Sequence, residues 1–255
     1  MKNQIAVLPS LRRAVGRWIT AGAMALAILS PLTALPSFAD SEVRRQFIPI
    51  LGLATDDHEI GTVTYLAILF EKRSDRSGLV VHFQDGPGRF SRMAQMSTKW
   101  AIRRAADSLG LSTDSWSVTL VVPFVGTTVY GESLSAMVGV SVMAMAMGYS
   151  VPSGVVMTGT ITSDGRIGPV GGVQLKVAAA GLARMRLVLV PDQGDLADAD
   201  RNTPFLVQVS TVRTVEQALR TFMDAADQRW RWKGKDPSAA RAQGSAATRE
   251  GKDER

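Results

Sequence analysis

From Ser133 to Met147 the chain is apolar nearly all the way round a helix. A helix with no polar face has no side to offer water, so other elements must cover it completely. At about fifteen residues it falls short of the roughly 20 needed to cross a bilayer. It is therefore expected as a central core helix. Ala136, Gly139, Ala144 and Ala146 allow neighbours to approach closely. Met143, Met145 and Met147 recur at every second residue, so they do not share one helical face and read as core filling, not a metal-binding stripe. Gly148 supplies the stop.

The material that covers this helix is legible on both sides of it. Gly61 to Phe70 is rich in β-branched and aromatic residues and predicts a strand, with Leu79 to Phe83 returning beside it as a hairpin partner. Ser91 to Leu109 predicts an amphipathic helix ended by Gly110. Its Lys99, Arg103 and Arg104 read as a solvated face. Ser117 to Val122 is a buried strand closed by Pro123, and Phe124 to Glu132 a loop with glycines at 126 and 131. Val155 to Thr162 predicts a strand, with a tight turn at Ser163 to Arg166. A helix follows Gly171-Gly172, then strands at Leu187 to Val190 and Phe205 to Val209, and a closing helix from Thr214 to Ala225. This is one α/β (α+β) domain, from about 45 to 228, of mixed sheet and packed helices.

Charge and composition remove several classes of function. The net charge of +6 arises at the ends: residues 1–39 hold four basic residues and no acid, and residues 232–255 carry the other two units. Nothing is left for residues 40–231, so the folded part shows no nucleic-acid footprint. There is no cysteine, and His58 and His82 are the only histidines, which excludes thiolate and multi-histidine metal sites. His82 falls within a strand and reads as a packed or edge residue. The acidic residues Asp192, Asp195, Asp198 and Asp200 lack the glycine and terminal glutamate of an EF-hand loop. The glycines at 165, 168, 171 and 172 match neither a phosphate loop nor a dinucleotide fingerprint. No metal and no cofactor are expected.

The N-terminus reads as an export signal: a basic region to Arg17, an apolar stretch from Trp18 to Leu35, then Ser37-Phe38-Ala39 before Asp40. An uncleaved membrane anchor is the alternative, but Pro31 and Pro36 interrupt the stretch. Residues 1–39 are expected to be removed, placing the protein in the periplasm or outside the cell. Residues 233–255 have the composition of a disordered charged tail.

Two residues in the central stretch carry chemical interest. Ser133 sits where a glycine-containing turn enters the core helix, near N–H groups able to stabilise an oxyanion. Lys176 stands among Val173, Leu175, Val177 and three alanines, a setting that strips hydration from an ammonium and lowers its pKa. Residue types alone leave two readings: an N-cap serine with a solvated lysine, or a nucleophile with its base. The surrounding motifs decide between them. Gly131-Glu132-Ser133-Leu134-Ser135, Met157-Thr158-Gly159 and Gly171-Gly172-Val173-Gln174-Leu175-Lys176, in that order, resemble the proteolytic domain of Lon proteases, the Ser–Lys peptidases.

The resemblance runs from about Ile48 to Met223. It implies that Ser133 is the nucleophile and Lys176 the general base. It also implies that Thr158 orients the lysine and that Glu132 supports the loop. The backbone around Ser133 and Leu134 would then form the oxyanion hole. The chain departs from the family pattern at Leu134, where alanine is usual, and at Thr160, where glutamate is often found. The residues given contain no ATPase module, which implies an ATP-independent exported serine endopeptidase acting on a polypeptide substrate. The resemblance further implies association into a ring-like homo-oligomer. A non-catalytic Lon-like binding or assembly module, or a membrane-anchored accessory subunit, is the alternative; retention of Ser133, Lys176 and Thr158 together favours the enzyme.

Overall fold

The computed structural model describes residues 43–55, 59–193 and 207–233. Two long strands, β1 (Arg44–Thr55) and β2 (Glu59–Lys72), pair antiparallel from Arg44 opposite Phe70 to Thr55 opposite Glu59. β3 (Val80–Gln84) and β5 (Trp116–Val121) complete a four-stranded sheet in the order β1-β2-β5-β3. Between these last two lie the short β4 (Arg89–Phe90) and helix α1 (Arg92–Ser108). Alternation sets which face is covered: Leu66, Ile68 and Phe70 of β2 and Trp116, Val118 and Leu120 of β5 all enter the core. Phe70 and Trp116 meet edge to face with centroids 5.4 Å apart. The hydroxyl of Ser91 caps α1 by accepting from the Ala94 N–H at 3.2 Å.

After β6 (Thr128–Val129) comes the expected central helix, α2 (Ser135–Ala146), eleven of whose twelve residues are buried. It packs against α1 closely enough that a Cβ on Gly139 would stand 2.7 Å from Ile161 Cδ1 and 3.3 Å from the Ala101 carbonyl. Each fully buried Val or Met here is worth about 1.5–3 kcal/mol relative to exposure, which is how a helix with no polar side holds its place.

A second, parallel sheet divides the interior. It consists of β7 (Val155–Met157), β10 (Leu187–Pro191) and β11 (Gln208–Val212), in the order β11-β10-β7. Between β7 and β10 the chain forms the hairpin of β8 (Thr160–Ile161) and β9 (Ile167–Gly168), then helix α3 (Val173–Leu182). Val155, Met157, Leu189 and Val212 join α2 and the final helix, α4 (Val215–Lys233), in one core. Val156, Val188 and Val190 face the other way, into a smaller core with Val173, Val177 and Ala180 of α3 and Leu51 of β1. Helices α2 and α3 thus lie on opposite faces of one sheet. Among the described residues no helix is long and apolar enough to cross a membrane.

The architecture is the expected α/β (α+β) mixture of sheets and helices, with local differences. The long strand β1, Arg44–Thr55, is an element that the sequence pattern did not assign. Leu79 to Phe83 does not pair with β2: β3 runs parallel to β5 on its far side. The connector is long, and Arg73 N–H and Gly78 N–H are bonded to the carbonyls of Ser115 and Asp114, which carries it past β5. The strand expected over 155–162 is broken at Thr158-Gly159 into β7 and β8, which belong to different sheets. The last strand starts at Gln208, with Phe205 outside the described residues, and α4 runs on to Lys233. The expected leader, His58, Asp195, Asp198, Asp200 and the tail beyond Lys233 also lie outside the described residues.

Candidate active site

The turn that carries Ser133 is built by Gly131, whose φ of +78° a side chain would strain, followed by Glu132, Ser133 and Leu134. The Ser135 N–H bonds to the Glu132 carbonyl at 2.9 Å, closing the turn, and α2 begins at Ser135. Ser133 therefore precedes the helix by two residues and is only partly covered. The broken strand grips this turn from the side. The Gly159 N–H donates to the Ser133 carbonyl at 2.9 Å, and the Gly159 carbonyl accepts from the Ala136 N–H at 3.1 Å. Among the described residues the N–H groups of Ser133 and Leu134 have no acceptor, which leaves two donors at the mouth of the turn.

The lysine arrives from the other core. Gly172, in the left-handed region at φ +64°, precedes the first residue of α3, and Lys176 lies one turn on. A side chain at 172 would also strike Leu53 of β1, at 2.6 Å from its Cδ1. Lys176 is 3% exposed. Its Nζ donates to the Gly171 carbonyl at 2.9 Å. Burial pushes its pKa below the usual 10.5, and the Glu59 carboxylate partly opposes this. The helix comes this close because Gly61 of β2 has no side chain: a Cβ there would sit 1.9 Å from the Leu175 carbonyl oxygen.

Ser133 and Lys176 line one cleft of about 690 Å³. Its walls are Ile50 to Ala54 of β1, Thr62 and Thr64 of β2, and the loop from Thr127 to Gly131. Leu134 also borders this cleft. The serine hydroxyl makes no direct hydrogen bond to the lysine. Apo nucleophile–base pairs are commonly long, tightening only when substrate excludes water. Thr158 is buried at the carboxyl end of β7, and its hydroxyl donates to the Ser133 carbonyl at 3.4 Å, not to Lys176. It touches the serine's backbone where the resemblance implied contact with the base.

Ser135 and Glu132 belong to a different place. Both line a groove of about 490 Å³ with Met93, Met96 and Trp100 of α1. Ser135 is 1% exposed, and Glu132 turns outward beside that groove. Of the two serines in the motif, Ser133 is the one that shares a cavity with the lysine. His82 is exposed on the edge strand β3, remote in topology from either serine. Among the described residues no cluster of acidic or histidine side chains could hold a metal ion. Sequence reasoning missed Glu59, whose charge acts on the lysine, Gly61, on which α3 packs through Leu175, and Gln193, which bonds to Val170 ahead of α3. All three act through tertiary contacts for which the local pattern carries no signal.

Residues 91–225 match the family described as the Lon protease (S16) C-terminal proteolytic domain. The chain is similar to a Lon protease of Desulforamulus reducens, 28% identical over 182 residues, covering 66% of this chain and 22% of that protein. A Lon protease of Vibrio parahaemolyticus is 26% identical over 187 residues, 68% of this chain and 24% of that protein. Lon protease 2 of Sorangium cellulosum is 32% identical over 129 residues, 48% of this chain and 16% of its own length. The chain thus spans no more than about a quarter of these relatives.

Proposed function

The chain belongs to the Lon protease (S16) C-terminal proteolytic domain family, and from that premise we infer that it is a serine endopeptidase working through Ser133 and Lys176. The observation that carries this reading is the shared cleft: a partly covered serine and a buried lysine line one cavity, while Ser135 lines another. In the reaction Ser133 Oγ attacks the scissile carbonyl carbon as neutral Lys176 Nζ accepts its proton. The Ser133 and Leu134 N–H groups stabilise the oxyanion that develops. Lysine returns the proton to the departing amine, leaving an acyl-enzyme. A water then attacks the ester, with the same amine as base, and Ser133 is regenerated. Thr158 and Gly159 hold the nucleophile turn through its carbonyl.

The substrate in this reading is a polypeptide in extended form. β1 is an outer strand of its sheet, and its residues Ile50 to Ala54 form one wall of the cleft, offering backbone groups to a peptide laid alongside. Folded proteins do not present such a segment, so unfolded or flexible chains are the substrates expected. No step draws on a nucleotide, and we take the activity to be ATP-independent. Incubation of the purified chain with a permanently unfolded protein, without nucleotide, tests this. Fragments should accumulate with the wild type and with Ser135→Ala, and none with Ser133→Ala. Equal cleavage by Ser133→Ala and the wild type would overturn the assignment.

We also propose that the enzyme works outside the cytoplasm, from the basic, apolar and small-residue order of residues 1–39. N-terminal sequencing of the protein from its native cell should begin at or near Asp40. Recovery of the intact Met1 form from the cytosolic fraction would count against export.

A further inference from the structure

The side chain that fixes the lysine's turn comes from the carboxyl end of β10, just after Pro191. The Gln193 carboxamide makes both hydrogen bonds that a paired strand would make to Val170. Its Oε1 accepts from the Val170 N–H at 3.0 Å, and its Nε2 donates to the Val170 carbonyl at 3.0 Å. Val170 is followed directly by Gly171, whose carbonyl receives Lys176 Nζ at 2.9 Å, and by the left-handed Gly172. Two adjacent glycines cost the most backbone entropy to order, so a turn containing them needs an external restraint. Neither glycine has a side chain with which to supply one. The carboxamide is that restraint: of the described side chains it is the one hydrogen-bonded to Val170, and it binds donor and acceptor at once.

We propose that Gln193 is a positioning residue for Lys176, clamping the Val170–Gly172 turn so that the Gly171 carbonyl holds the lysine amine inside the cleft. The inference rests on the Ser133–Lys176 reading of the site. It adds a residue with no part in the bond-breaking chemistry that still sets the base's readiness. With the clamp removed, the turn loosens, water reaches Nζ, and a water oxygen replaces the carbonyl as acceptor. The dehydration that lowers the lysine's proton affinity is then relieved. Among the described residues, Glu59 on β2 is the charged group acting on the amine, and Tyr130 is the other titratable side chain at the cleft. The strands behind α3 contribute only apolar residues there, Val156, Val188 and Val190.

The test follows the amine directly. The full chain labelled with [6-13C]lysine gives a Cε signal for Lys176, assigned by its loss in Lys176→Met. In Gln193→Ala the titration midpoint of that signal should move up by about one pH unit. Activity near neutral pH should fall about tenfold, since one unit is a tenfold change in neutral amine. The alkaline rise of kcat should shift with it, with KM little altered. Gln174→Ala, on the exposed side of α3, should leave midpoint and profile where they are. Gln193→Leu, of similar size but with neither donor nor acceptor for Val170, should move the midpoint upward too. It serves if the alanine variant fails to fold. A folded variant at 193 with an unmoved Lys176 midpoint overturns the proposal. If the midpoint moves while the wild type and Ser133→Ala are equally active, the clamp stands and the Ser–Lys reading falls.

Discussion

Lys176→Arg is expected to abolish peptide hydrolysis, lowering kcat/KM on the order of 10⁴-fold or more, as loss of a nucleophile's base does elsewhere. Guanidinium keeps its proton across the accessible pH range and cannot take one from Ser133. Lys176→Met should be equally inactive and should also melt higher at neutral pH. The reason is the cost of a 3% exposed ammonium whose described hydrogen-bond partner is the Gly171 carbonyl. Burial holds the folded-state pKa below 10.5, so between the two values the unfolded chain binds the extra proton. Stability of the wild type therefore rises with pH through that window, and the rise should vanish in Lys176→Met. Activity climbs with pH over the lower part of the same range, as the amine loses its proton in the folded enzyme. Normal hydrolysis by Lys176→Arg would make the lysine a structural residue and remove the base from the mechanism.

Gly159→Ala should also be damaging, from a position that holds the turn at Ser133 in place. Its φ of +149° lies where an L side chain is strained, and the new Cβ would stand 2.8 Å from Ile167 Cγ2. Strain and crowding of this kind cost about 1–3 kcal/mol. The larger effect is geometric. Gly159 ties the Ser133 carbonyl to its own N–H and the Ala136 N–H to its own carbonyl, so moving it moves Ser133. A displacement of about 1 Å is enough for a loss on the order of 10²-fold. Thermal melting, followed by kcat measured well below the variant's melting point, separates the two. Wild-type kcat and melting temperature together would show that the turn holds itself.

The parts legible in the sequence were those whose physics is local. A helix apolar on every side could only be central, and α2 is. Three ordered motifs named Ser133 and Lys176, and the structure brings both to one cleft. Local pattern failed where partners are chosen across the fold. β3 follows β2 in sequence, but the connector's bonds to Asp114 and Ser115 take it to the far side of β5. The break at Thr158-Gly159 was hidden because both flanks read as strand, and its cause lies in the turn at Ser133. Gln193 gave no signal at all: it stands 23 residues from Val170, in a stretch remarkable to the eye only for its acids. Likewise Gly61 is an ordinary strand residue until α3 is packed upon it.

The three-stranded parallel sheet separates the helix that follows the serine from the helix that carries the lysine, and this turns a chemical distance into a thickness. How far apart the two helices stand is gauged by the bulk of Val156, Val188 and Val190 on one side and of Val155, Met157 and Leu189 on the other. Adding or removing one methylene in either layer lifts or lowers a whole helix, because close-packed interiors transmit such changes instead of absorbing them. On the proposed Ser133–Lys176 reading, turnover is therefore adjustable like the gap of a calliper, through side chains buried away from water.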